Sequence, residues 1–171
     1  MTLDELLSRA TNKACFTSLL DYVQFCTSYL SFIEIGLQAV IVSQNEPNYQ
    51  FFQYRQDGQF NITRPINSRL MFTSEHLAIL QNDFLQILPN ARDIPIDDNI
   101  NRSIIRNAIY SIQQSIGATL DALPSGKSNT ARKLNGDLFE RLARLLITEV
   151  GIECKSGTIQ VPIEVDAVES F

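Results

Sequence analysis

The residue pattern predicts a mainly α protein: a helical N-terminal region carrying one β-hairpin, then a further helix and short strands. Three observations support this. Apolar residues recur at three- and four-residue spacing through several long segments, the signature of helices with one buried face. One aromatic-rich stretch around Asp57-Gly58 changes to a period of two. The period changes again after Gly151. With 44% apolar and 19% charged residues in a chain of 171, there is enough apolar surface to offset the entropy of ordering.

The elements follow in order. Leu3, Leu6 and Leu7 fit a short amphipathic helix capped by Thr2, with Glu5 completing a capping box. From Thr17, the residues Leu19, Leu20, Val23, Cys26, Leu30, Ile33, Leu37, Val40 and Ile41 line one face of a long helix. Phe25, Tyr29, Phe32 and Ile35 widen that face, so the helix is expected to be buried on most sides. Tyr49 to Tyr54 and Phe60 to Ile62 flank Asp57-Gly58 as the two arms of a hairpin near 49–63, closed by Arg64-Pro65. Arg55 and Arg64 sit among these aromatics as a nucleic-acid stacking surface would require, although such aromatics more often only pack.

Thr73 or Ser74 can cap a helix through Leu88, stopped by Pro89, and a connector rich in Asp, Asn and Pro follows. Ile104, Ile105, Ala108, Ile109, Ile112, Ile116 and Leu120 mark the next helix, which ends near Leu123-Pro124. A last helix runs from Asn129 or Thr130 to Val150, with Leu134, Leu138, Leu142, Leu145 and Leu146 inward and Gly151 at its C-cap. Residues 152–165 then suggest two short strands turning at Ser156-Gly157. This divides the chain into a helical region, 1–124, and a helix with short strands, 125–171.

Several function classes are set aside by these residues. The N-terminus has no cationic-then-apolar run, so no secretory signal is expected and a cytoplasmic location follows. Without secretion, the acceptor patterns at Asn61 and Asn101 carry no weight. The greasiest stretch, Tyr22 to Val42, holds Gln24, Thr27, Ser28, Ser31, Glu34 and Gln38, too many polar groups for a membrane span. Cys15, Cys26 and Cys154 form no CxxC pair and read as buried free thiols. The lone histidine, His76, cannot assemble a zinc site. Gly126-Lys127-Ser128 imitates the end of a phosphate loop, but Asp121 stands where the first glycine is needed and a helix precedes it.

The segment with most to say about chemistry is Gly136-Asp137-Leu138-Phe139-Glu140-Arg141-Leu142-Ala143-Arg144, followed by Gly151 and strand-like residues. It resembles the first helix and first strand of the PD-(D/E)XK nuclease fold, and with the helical region before it the chain is similar to the front portion of a type II restriction endonuclease of the ApaLI kind. The resemblance covers about a quarter of the chain. It implies that Glu140 is the helix glutamate that supports the metal site, and that Gly136 permits close helix packing. Lys127, Arg132, Lys133 and Arg144 would then face duplex DNA. Mg2+ is expected only for the complete family, and these residues alone imply no metal.

That chemistry needs an aspartate on one strand and Glu-x-Lys on the next, two carboxylates for the metal and a lysine for the attacking water. Glu153-Cys154-Lys155 spells Glu-x-Lys but comes directly after the helix cap, too early. The catalytic strand pair is therefore expected beyond Phe171, which would make the chain a fragment or truncated relative. Read without the resemblance, Asp137 with Arg141 and Glu140 with Arg144 are simply acid-before-base pairs along one helix. Residues 127–155 hold six bases and four acids within a total charge of −5, a slight local excess. The alternative function is a non-enzymatic helical protein whose strand edges pair with a partner or another copy, and either reading predicts a homo-oligomer.

Overall fold

The computed structural model describes residues 1–36, 40–42, 50–56, 59–67 and 69–153. Its architecture is mainly helical. Five α-helices run as α1 (Leu3–Thr11), α2 (Leu19–Gly36), α3 (Ser74–Ile87), α4 (Asn99–Asp121) and α5 (Ser128–Glu149). Between α2 and α3 the backbone of Val40–Val42, Gln50–Gln56 and Gln59–Ile66 is extended, as β1, β2 and β3. These pair antiparallel in that order. The expected turn at Asp57-Gly58 lies outside the described residues, as do Cys154, Lys155 and the tail strands expected after the last helix.

The helix starts follow local hydrogen-bonding rules. Thr2 accepts from the Glu5 N–H at 3.2 Å, and the Thr2 N–H donates to Glu5 Oε2 at 2.7 Å, the capping box expected for α1. The Glu5 carboxyl is lowered chiefly by that backbone bond. At α2, Asp21 Oδ2 accepts from the Thr17 and Ser18 N–H groups at 2.8 and 2.7 Å, and from both hydroxyls. The Asp21 N–H returns a bond to Ser18 Oγ at 3.3 Å. Thr73 caps α3 and Asp98 caps α4. The helix α3 tightens into a 3-10 turn, Leu88–Asp93, where Pro89 cannot continue the α pattern.

One boundary differs from expectation. Val40 and Ile41, expected on the α2 face, lie in β1 opposite Gln53 and Phe52. Glycine is a poor helix former, and Val40-Ile41-Val42 is a run of β-branched residues that favours extended backbone. The described helix runs through Gly36, residues 37–39 lie outside the described residues, and by Val40 the backbone is extended.

The core is gathered on α4, which touches α1, α2, α3, α5 and β3. Its inward face is Ala108, Ser111, Ile112, Ser115, Ile116, Ala118, Thr119 and Leu120, all buried. Small side chains there let neighbouring helices approach closely, and each of the three hydroxyls is hydrogen-bonded, two of them within α4. Ser115 donates to the Ile112 carbonyl at 2.7 Å, Thr119 donates to that of Ser115 at 2.8 Å, and Ser111 Oγ accepts from the Phe72 N–H at 3.0 Å. Against them α2 buries Tyr22, Val23, Phe25, Cys26 and Tyr29. The Phe16 ring packs at 4.8 Å from Tyr22 and 5.3 Å from Phe25, centroid to centroid. Burial pushes the Cys26 thiol up to about 12, so it is a free, neutral core residue. Cys15 is also free, half-buried at the end of the 3-10 turn Lys13–Cys15.

Asp21 yields a pH prediction. Its carboxyl is lowered from 3.8 to about 2, first by the Thr17 hydroxyl and then by the Ser18 and Thr17 amides. A lowered folded value means that the stabilisation is complete above the ordinary value and disappears as pH falls through the folded one. Asp21→Ala is expected to cost about 1 kcal/mol at pH 7, as loss of a helix cap does. The gap from wild type should close between pH 4 and 2 in urea melts, and a gap independent of pH would refute this role.

Candidate functional site on the last helix

Helix α5 begins in a tight turn. The Lys127 N–H donates to the Pro124 carbonyl at 3.1 Å, with Gly126 at φ 87°, the third position of a type II turn that favours glycine. Gly126-Lys127-Ser128 is thus the joint between α4 and α5, and no buried strand precedes it as a phosphate loop would need. The other end closes as expected: the Gly151 N–H donates to the Thr148 carbonyl at 2.9 Å and the Ile152 N–H to that of Ile147 at 3.1 Å, with Gly151 at φ 79°. This is a Schellman cap.

Four connections fix how α5 is rotated. Ala131, Leu138 and Leu142 are buried in the same cluster as the α2 and α4 side chains. The Tyr22 hydroxyl donates to the Leu138 carbonyl at 2.8 Å inside the core, and burial raises that phenol to about 12. Arg141 Nη1 donates to the carbonyls of Lys13 and Phe16 at 2.8 and 3.2 Å. Lys13 Nζ in turn bonds Asp137. The hydrogen bond from Lys13, with its charge, lowers the Asp137 carboxyl.

The anticipated Asp137 and Arg141 pairing therefore does not occur. The flat guanidinium fork is better matched to two main-chain oxygens at the end of a 3-10 turn, leaving Asp137 to an ammonium from a distant part of the chain. Lys13 was not among the sequence candidates. A lone base between two helices gives no local sign that its partner lies 124 positions away.

Glu140 and Arg144 pair as expected, on the outward face of α5, with Glu140 64% exposed. Together with Lys13, Asp137 and Arg141 they line a surface groove of about 280 Å³. Lys127, Arg132 and Lys133 are exposed. At 100° per residue, Lys133 falls on the Glu140 and Arg144 face, and Arg132 lies a quarter-turn or so away, on the other side of the outward surface. Lys127 stands at the N-terminal joint.

Gly136 corrects another expectation. It is exposed, and a Cβ placed there would meet nothing within 4 Å, so it serves no close helix approach. The apolar contacts of α5 are made instead by Ala131, Leu138 and Leu142, on the opposite side.

The groove's carboxylates are both engaged, Asp137 by Lys13 and Glu140 by Arg144. Magnesium takes an octahedral oxygen shell anchored by one or more free carboxylates. With Asp137 and Glu140 both in ion pairs the groove presents no free carboxylate as it stands, and among the described residues no group of three His, Cys, Asp or Glu side chains could hold a metal ion. Also among the described residues, no helix is long and apolar enough to cross a membrane. Glu153 is exposed just after the Schellman cap.

Two substitutions test this account of α5. Gly136→Ala should stabilise the protein by roughly 0.5–1 kcal/mol, because mid-helix glycine has an entropic cost and nothing obstructs a methyl group. Thermal melts should rise by about 1–4 °C, and a fall would mean that the position is crowded. Arg141→Ala should cost about 1 kcal/mol or more through its two carbonyl bonds. A loss no larger than that of Arg144→Ala would show that the clamp contributes nothing.

No protein-family model matches this chain, and no curated protein or solved structure matches it.

Proposed function

We propose that the chain belongs to the lineage of type II restriction endonucleases with a PD-(D/E)XK core, and that α5 is its DNA-facing helix. The observation that carries this reading is the position of Glu140, exposed on α5 in a groove lined by acids and bases, on the side away from the core. Glu140 acts there as the supporting carboxylate, and Lys127, Arg132, Lys133 and Arg144 contact the phosphates of duplex DNA. The reading includes a hairpin over 49–63 and short strands after α5 as the start of the sheet. Metal-dependent phosphodiester hydrolysis belongs to the complete family, and in this reading the chain is a fragment or truncated relative without that centre. The non-enzymatic alternative, a helical protein that associates with a partner or another copy, makes no use of the basic residues.

Titration with duplex DNA over a range of salt separates the two. Phosphate contacts release counterions, so affinity should fall as salt rises, and Lys133→Ala and Arg132→Ala should each reduce the log–log slope by roughly 1. An absence of binding at low salt, or slopes that neither substitution changes, would leave the association reading in possession.

A further inference from the structure

The polar residues that interrupt the α2 apolar run have a second place in the structure. A cleft of about 820 Å³ opens where α1, α2 and α3 converge, and Gln24, Thr27, Ser28 and Ser31 form one wall of it. Their spacing puts them on a single stripe of α2. Its size falls within the range of small-molecule sites. It shares no lining residue with the groove on α5.

Three chemistries meet in the cleft. Arg9 is the only ionisable side chain among the described lining residues. Its guanidinium rests 5.6 Å from the centroid of the fully buried Phe25 ring, which orients the donor fork. Thr27 and Ser28 have each committed their hydroxyl proton to a helix carbonyl, Val23 and Gln24 respectively, both at 2.9 Å. What those hydroxyls still offer is lone pairs, so they accept and do not donate. Leu3 and Phe32 contribute apolar surface.

A cation held by a ring, a pair of acceptors and an apolar patch select a molecule with the matching parts. We propose that this cleft binds a small organic anion, a carboxylate or phosphate ester bearing an N–H or O–H donor and an apolar group. The anionic end lies on Arg9, the donor on the Thr27 and Ser28 oxygens, and the apolar group against Leu3 and Phe32. Simple surface polarity would explain a polar stripe on α2. It does not explain why the stripe faces a cleft with one oriented cation and, among the described residues, no carboxylate.

The test uses the full chain and two anionic probes, N-acetylphenylalanine and 4-acetamidophenyl phosphate, with uncharged N-acetylphenylalaninamide as control, followed by amide NMR shifts. The expected result is saturable shifts in α1 and in residues 24–32 with at least one anion, and about tenfold weaker binding of the neutral amide, the loss of one charge-assisted contact. The two anions distinguish a carboxylate from a phosphate ester site. Arg9→Gln should erase the preference for the anion, and Ser28→Trp should block binding. Both variants are first checked for native helical content, and Arg9→Gln serves alone if the tryptophan variant does not fold. No saturable shift with either anion would overturn the proposal. So would equal binding of the neutral amide, or an anion preference that survives Arg9→Gln.

Discussion

The structure depends on the narrow face of α4. A helix that contacts all four others and β3 needs side chains small enough for close approach, and Ala108, Ser111, Ser115, Ala118 and Thr119 supply them. Hydroxyls in that position would be costly if left unpaired. They are not, because two of them fold back onto α4 carbonyls and the third holds the Phe72 amide as the chain enters α3. The Tyr110 hydroxyl, on the residue before Ser111, accepts from the Asn67 amide at 2.6 Å. A single helix thus sets the separation of its neighbours and anchors the segment between β3 and α3.

With α4 fixed, α5 has few choices. Its apolar side joins the common core, and the Tyr22 hydroxyl reaches into that side to the Leu138 carbonyl. Arg141 and Asp137 tie its flank to the loop between α1 and α2. These contacts leave Glu140, Arg144 and Lys133 directed outward. The outward face of α5 is a consequence of packing elsewhere.

How much of this the residues disclose depends on range. The Thr2 and Glu5 box, the Thr73 cap, the Gly151 C-cap and the Glu140 and Arg144 pair were all readable, because each is decided within a turn of helix. Val40 and Ile41 read as helix because the apolar period continues through them, although their backbone is extended. The burial of Ser111, Ser115 and Thr119 was missed for a related reason: hydroxyl residues in an isoleucine-rich helix look like its wet side until the neighbouring helix is present. Lys13 was invisible as the partner of Asp137, and Gly136 looked like a packing glycine only through the family resemblance. At the candidate site the sequence indicated the helix and its outward face. It could not indicate which charges were already engaged.

That distinction divides the acid–base cluster on α5 into two parts with different physical roles. Asp137 and Arg141 bond to residues far away in the chain, so changing them loosens the attachment of the helix. Among the described residues, Glu140 and Arg144 bond only to each other along the same helix. An exposed pair of this spacing contributes a few tenths of a kcal/mol and is screened by salt. Such a pair is a weak reason for either residue to be there, and it is easily opened. A phosphate approaching α5 would compete with Glu140 for Arg144 at little cost to the fold, and the freed carboxylate would then be available to an incoming cation or donor. The same exchange at Asp137 would have to break a tie that holds α5 to the α1–α2 loop. If this face of the helix does chemistry, Glu140 and Arg144 are the residues that can change partners while the helix stays in place.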